Sequence, residues 1–330
     1  MGRYVVRRML YMVPTLFLIS LVAFAIIQLP PGDFLSTVVA REQARGGMIE
    51  PAYLEALRAR YALDQPMFVQ YWTWISNIAF RGDFGQSFQH GESVSDLLAE
   101  RLPLTLAISL STMLIGWCVS LPLGVFSAVR RYTWGDYVVT TFVFFAVAIP
   151  NFLAALAISY VQFRYFGASI GGLFSPQFVD AEWNIGRILD LLGHLWVPIL
   201  VLGLGGIAGT IRIMRANLLD ELSKPYVVTA RSKGVPEGRL IWKYPVRVAL
   251  NPFVSTIGWA LPGIVGGEII VSQILGLQTT GPLLLSALES QDMYLAGSII
   301  LILSALTVVG TLISDLLLGV VDPRIREGRG

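Results

Sequence analysis

Charge is scarce in this chain. Only 14% of its 330 residues are Asp, Glu, Lys or Arg, where a water-soluble domain carries about 25%. Cysteine is nearly absent: Cys118 stands alone in an apolar run, which excludes an internal disulfide framework and reads as a small hydrophobe in a helix. The two histidines, His90 and His194, lie far apart and share no ligand spacing, so a metal site is not expected. No G-x-x-x-x-G-K-[ST] segment occurs, so the chain brings no nucleotide-binding loop of its own. What it has instead is apolar surface. Hydrophobic residues make up 55% of the sequence, and the mean hydropathy is +0.65. That is too much for one soluble core and predicts an all-α polytopic membrane protein.

A helix crosses the hydrocarbon layer with about 20 apolar residues. Six runs qualify: about 9–29, 103–129, 137–163, 195–213, 253–277 and 294–321. The first follows Arg3, Arg7 and Arg8. It is too long for a signal peptide and lacks an A-x-A site, so it reads as a retained anchor. With the N-terminus in the cytoplasm, inside segments hold 16 of the 24 Lys and Arg residues. The short loops agree, with Arg130-Arg131 inside and a base-free loop at Glu289–Asp292 outside. The expected topology is therefore six helices with both termini inside. The organisation reads as 1–30, tail and first span; 31–102, an extracytoplasmic helical insertion; and 103–330, spans two to six with a cytoplasmic loop at 218–250.

Within the insertion, helical spacing recurs in Phe68-Tyr71-Trp72-Ile75, and Gly82-Asp83-Phe84-Gly85 reads as a turn. Glu92-Ser93-Val94 opens a helix expected to end near Arg101, before Pro103. Residues 167–193 read as a Gly-rich loop, with Trp183 and Trp196 as interface anchors. Pro150-Asn151 and Pro262-Gly263 break the third and fifth spans and predict kinks. Gly203, Gly205, Gly206 and Gly209 give the fourth span a small-residue face suited to close packing. Glu268 falls inside the fifth span, where a carboxylate costs a few kcal/mol unless paired, hydrated or protonated. It reads either as a pathway residue or as half of a structural pair. Asp315 lies nearer the cytoplasmic end of the sixth span and reads as pairing with a basic loop or capping a helix end.

The basic loop after the fourth span reads YVVTARSKGVPEGRLIWKYPVRVALN from Tyr226 to Asn251. Tyr226 to Lys233 lacks helix breakers, Gly234 with Val235-Pro236 ends the turn, and Leu240-Ile241-Trp242 start a second helix. Helix, glycine turn and helix make a compact knob rigidly joined to two spans. The plainer alternative is a basic loop that binds anionic lipid.

This loop resembles the E-A-A loop of bacterial ATP-binding-cassette importer permeases, in the oligopeptide, dipeptide and nickel branch. That branch reads T-A-R-A-K-G where this chain has Thr229-Ala230-Arg231-Ser232-Lys233-Gly234. Further blocks follow in order along nearly the whole chain: Arg7-Arg8, Pro14-Thr15, Pro31-Gly32-Asp33, Arg81 to Gly85, Glu100 to Pro103, Pro122-Leu123-Gly124, Ile149-Pro150 and Asp322 to Arg326. The resemblance implies a type I importer permease fold in the inner membrane. It implies a second homologous permease, two ATP-binding subunits that hold ATP and Mg, and an extracytoplasmic solute-binding protein. No catalytic residue, cofactor or nucleic acid belongs to such a chain. It implies a coupling helix at about 228–237, with Thr229, Ala230, Arg231, Ser232, Lys233, Gly234 and Val235 as the coupling residues and Arg231 and Lys233 facing the ATPase. Glu268, Asn151 and Ser272 are the candidate pathway residues. Two positions depart from the pattern. Val228 stands where the general loop has an acid, and Ser272 where many peptide permeases have glutamate. Peptides, short oligosaccharides or glycosides, and nickel chelates stay open as solutes, and a self-sufficient channel, a secondary transporter or an assembly receptor are the rival classes.

Overall fold

A computed structural model describes residues 2–28, 39, 55, 56, 59, 62, 64–87, 89–166, 172–179, 181–257 and 269–321. Among them the regular elements are helical, apart from an isolated bridge between Gln86 and Ser93. In chain order they are α1 (Gly2–Gln28), α2 (Met67–Arg81), α3 (Val94–Val129), α4 (Trp134–Ala148), α5 (Asn151–Phe166), a 3-10 turn (Pro176–Phe178), α6 (Ile185–His194), α7 (Trp196–Leu222), α8 (Pro225–Ser232), α9 (Glu237–Lys243), α10 (Pro245–Ala249), α11 (Ile269–Ile274), α12 (Thr280–Glu289) and α13 (Met293–Val321).

Among the described residues, the stretches Val6–Gln28, Val94–Val129, Trp196–Leu222 and Met293–Gly319 are each long and apolar enough to cross a membrane. They lie where the first, second, fourth and sixth runs were expected. The third run is not one straight helix. It is α4 and α5, bent by 94° at Ile149-Pro150. Proline has no N–H to continue the ladder, and Ile149 before it adopts an extended backbone. The fifth run is described at 251–257 and in α11; its middle, with Pro262, Gly263 and Glu268, lies outside the described residues.

Two expectations are corrected. The helix opening at Val94 does not stop before Pro103 but runs through it to Val129. Contacts hold it on both sides: Leu97 and Leu98 pack with Leu295 and Ile299, and Leu104 and Ile108 with Val197 and Val201. One lost backbone bond is small beside that burial. The Gly-rich stretch before the fourth run also contains α6. Its cap is Asn184, whose Oδ1 accepts from the Arg187 amide at 2.8 Å. Trp183 is half-exposed, and the Arg187 guanidinium lies over its ring at 4.5 Å.

The chain forms two compact units. One comprises residues 9–103 and 279–308, the other 1–8, 104–278 and 309–330. In the first, α2 packs on α1. Ser20 and Tyr71 share a hydrogen bond between hydroxyls of 2.7 Å, and Phe24 lies edge-on to Tyr71 and tilted against Trp74. Gly82, with a left-handed φ of 63°, ends α2, and Asp83 Oδ1 accepts from Gly85 N to close the turn. Asp292 precedes α13. Its carboxylate accepts from Ser87 Oγ at 2.6 Å and from the amides of Gln89 and Leu295.

In the second unit, α7 is the central element. Val139, Val143 and Ala146 of α4 pack with its Ala208 and Ile211, and Ala155 of α5 shares a core with its Val201. The glycines of the fourth run differ: a Cβ on Gly203 would lie 3.6 Å from Thr112 of α3 and one on Gly205 3.7 Å from Asn151 of α5, while Gly206 and Gly209 have nothing within 4 Å. A tighter approach is at Gly124 of α3, where a Cβ would meet Met214 Cβ of α7 at 2.7 Å. Asp315 pairs with Arg8 Nε at 2.6 Å, an ion pair as expected, though its partner is on the helix α1 and not in a basic loop.

Candidate coupling surface

After α7 the chain enters the knob. Pro225 occupies the first turn of α8, where its missing N–H costs nothing. Thr229 Oγ1 donates to the Pro225 carbonyl and Ser232 Oγ to that of Val228, so both hydroxyls are tied to their own helix. The helix ends in a Schellman arrangement. Val235 N donates to Ala230 O, Gly234 N donates to Arg231 O, and Gly234 takes a φ of 76°. That left-handed backbone favours glycine, which explains a glycine at this place.

Across the turn, Arg231 grips Glu237, the first residue of α9, with two hydrogen bonds of 2.6 and 3.1 Å. A planar guanidinium matches a carboxylate in this way. The pairing holds the Glu237 carboxyl below its ordinary value and raises the Arg231 guanidinium. At the entrance, Tyr226 Oη donates to Glu221 Oε2 at 2.5 Å, and Lys224 pairs with Asp220 at 3.0 Å. Burial first, and then the Glu221 carboxylate, push the Tyr226 hydroxyl well above its usual range.

Beneath the turn lies a closed apolar core. Val227, Ala230, Leu240, Ile241, Val246, Ala249 and Phe253 pack with Met214 and Leu218 of α7 and with Val125 and Ala128 of α3. The knob is therefore fastened to two long helices by buried side chains. Its outer face presents Tyr226, Val228, Thr229, Arg231, Ser232 and Lys233.

The expected coupling residues thus separate by role. Ala230 is buried and Val235 half-buried, so both build the turn. Thr229, Arg231, Ser232, Lys233 and Gly234 are exposed. The expected coupling helix at 228–237 resolves into the second half of α8, the turn and the start of α9. Sequence reasoning missed Glu237; the only signal was an arginine and an acid flanking a Gly-Val-Pro turn.

The expected pathway residues lie elsewhere. Asn151 is the first residue of α5 and half-buried, with Oδ1 3.7 Å from where a Cβ on Gly205 would stand. Ser272 lies in α11, wholly buried, and α11 packs on α5. Glu268 is outside the described residues.

Residues 120–327 match the family described as binding-protein-dependent transport system inner membrane component, and residues 1–109 match its N-terminal companion. The oligopeptide transport system permease protein AppB of Bacillus subtilis is 35% identical over 98% of this chain and 99% of its own length. The putative peptide permease of Brucella ovis is 34% identical over 99% of each. The glutathione transport system permease protein GsiC of Escherichia coli K12 is 30% identical over 99% of each. With a turn-and-helix knob on paired apolar helices and similarity along nearly its whole length, this chain belongs to the family of binding-protein-dependent transport system inner membrane components, the multi-pass permeases of ATP-binding-cassette importers.

Proposed function

We propose that this chain forms half of the translocation pathway of an ATP-driven importer for peptides. A second, homologous permease supplies the other half. Two ATP-binding subunits, which hold ATP and Mg, dock beneath, and an extracytoplasmic binding protein delivers the solute. The observation that carries the reading is similarity over almost the full length of permeases named for oligopeptides. Six spans with both termini in the cytoplasm agree with the excess of Lys and Arg on the knob's side. The exposed face of α8 is the surface that meets an ATP-binding subunit, with Thr229, Arg231, Ser232 and Lys233 in contact and Ala230, Gly234 and Val235 holding the turn. Asn151, Glu268 and Ser272 line or support the pathway. Ser272, standing where many peptide permeases carry glutamate, favours a second reading in which the same machine carries short oligosaccharides.

Purification from the native membrane, with identification of what copurifies, tests the assembly. A homologous permease and two ATP-binding subunits are expected; a lone protein that transports without ATP would sink the reading. In the reconstituted complex, Gly234→Pro should insert normally yet lose ATP-driven uptake. Competition of uptake by peptides against oligosaccharides separates the two solute classes.

A further inference from the structure

A buried ionic joint sits beside the knob. Asp136, in the first turn of α4, is 2% exposed. Its carboxylate collects donors from three directions. Arg215 of α7 reaches both oxygens, Nε to Oδ1 at 3.1 Å and Nη2 to Oδ2 at 2.9 Å. Ser127 of α3 donates its hydroxyl to Oδ1. The Tyr132 amide, in the turn between α3 and α4, donates to Oδ2 at 2.9 Å. Arg215 Nε also reaches Ser127 Oγ at 3.0 Å, so the three side chains form one closed network.

The place of this joint in the fold is more informative than its stability. Val125 and Ala128 of α3 belong to the apolar core under the coupling turn, and Ser127 between them turns to Asp136. One residue before Arg215, Met214 belongs to the same core. Both partners of Asp136 therefore ride on the two helices that hold the knob. Asp136 itself rides on α4, which has no residue in that core. At its far end α4 meets the 94° bend at Pro150. Beyond the bend, Asn151 opens α5, and α5 packs on α11, which carries Ser272.

We propose that Asp136 and Arg215 are positioning residues for coupling. They form the joint through which displacement of the knob is passed to α4, and by the Pro150 bend to α5 and the pathway helices. A bidentate guanidinium–carboxylate pair, with further donors from Ser127, the Tyr132 amide and, at 3.5 Å, the Thr140 hydroxyl of the same helix, resists both sliding and rotation, whereas apolar contacts between α4 and α7 permit small shear. The proposal rests on the reading of the knob as the ATPase-docking surface, and its test keeps the two separable.

The test uses the complete reconstituted complex with its binding protein. Asp136→Asn keeps the side chain's size and removes its charge. Expected are wild-type copurification of the ATP-binding subunits, basal ATP hydrolysis within about twofold, and a melting temperature lowered by the Arg215 guanidinium left without its carboxylate but still above the assay temperature. Stimulation by solute-loaded binding protein and uptake should fall at least tenfold, with an unchanged half-saturating concentration of binding protein. Arg215→Lys, which keeps the charge and loses the fork, should be intermediate; if Asp136→Asn does not assemble, it carries the test by the same readouts. The double variant Asp136→Asn/Arg215→Gln should be no worse than either single one, as for residues acting as a unit. Wild-type stimulation and uptake in Asp136→Asn, or a loss of coupling that only tracks a loss of assembly, would overturn the proposal. Gly234→Pro distinguishes the readings: if it uncouples transport while Asp136→Asn does not, the docking surface stands and the joint falls. If Gly234→Pro transports normally, the docking surface itself falls.

Discussion

A Cβ on Gly124 would stand 2.7 Å from Met214 Cβ and 3.1 Å from the Ile211 carbonyl oxygen. Neither neighbour is the free end of a flexible chain, so α3 and α7 would have to separate. Gly124→Ala should therefore lower stability by about 1–3 kcal/mol, the usual cost of overpacking. Thermal unfolding in nanodiscs reads it directly. Gly206→Ala and Gly209→Ala, which meet open space within this chain, are the matched controls and should leave the isolated protein near wild type. A small-residue face was legible in the fourth span, because glycines at helical spacing stand out. Which glycine touches a neighbour was not. That depends on where another helix crosses, and the crossing partner Gly124 is separated from Met214 by 90 residues of chain.

Across the knob, the exposed fork between Arg231 and Glu237 closes the turn between α8 and α9. Because pairing depresses the Glu237 carboxyl in the folded state, its stabilising effect is present above the free carboxyl's ordinary value of 4.5 and is lost as pH falls through the lower folded value. Protection of the Gly234 and Val235 amides from hydrogen exchange, relative to the free-amide rate at each pH, should thus stay constant from neutral pH down to the carboxylate range. Glu237→Gln should exchange severalfold faster at pH 7; equal rates would show that the backbone bonds alone hold the turn. The knob itself was readable in the sequence, since Gly234 and Pro236 punctuate it by local chemistry. The Arg231–Glu237 fork was not, because it exists only once the turn has folded. Pro150 marked a break in the third span, yet proline alone sets no angle, and 94° depends on the packing of α4 and α5 against α7. Pro103 misled in the opposite direction, because contacts on both of its sides outweigh one missing bond. α6 was hidden by Gly186 and Gly193, which mask a helix that its Asn184 cap and its docking on α7 sustain.

For the molecule as a whole, the pair Arg8–Asp315 joins α1 to α13. Asp315 is largely buried and Arg8 half-exposed, so each single neutralisation should cost about 1 kcal/mol. The double variant Arg8→Gln/Asp315→Asn should cost less than the two singles together, because no unpaired charge remains. The amount of protein recovered folded from the membrane reads the cycle, and simple additivity would show that the two charges do not support each other. The pair also has a bearing on time. In the other unit, Gly297 of α13 fits against Ile27 and Ala23 of α1, so α1 is completed by a helix made much later. A ribosome adding about 5–20 residues per second reaches Asp315 roughly 15–60 s after Arg8. For that interval α1 waits in the bilayer without its partner, and the nascent chain is dependent on whatever shelters a half-built membrane protein. Slowing translation between the two helices should therefore lengthen the period in which quality-control proteases find it.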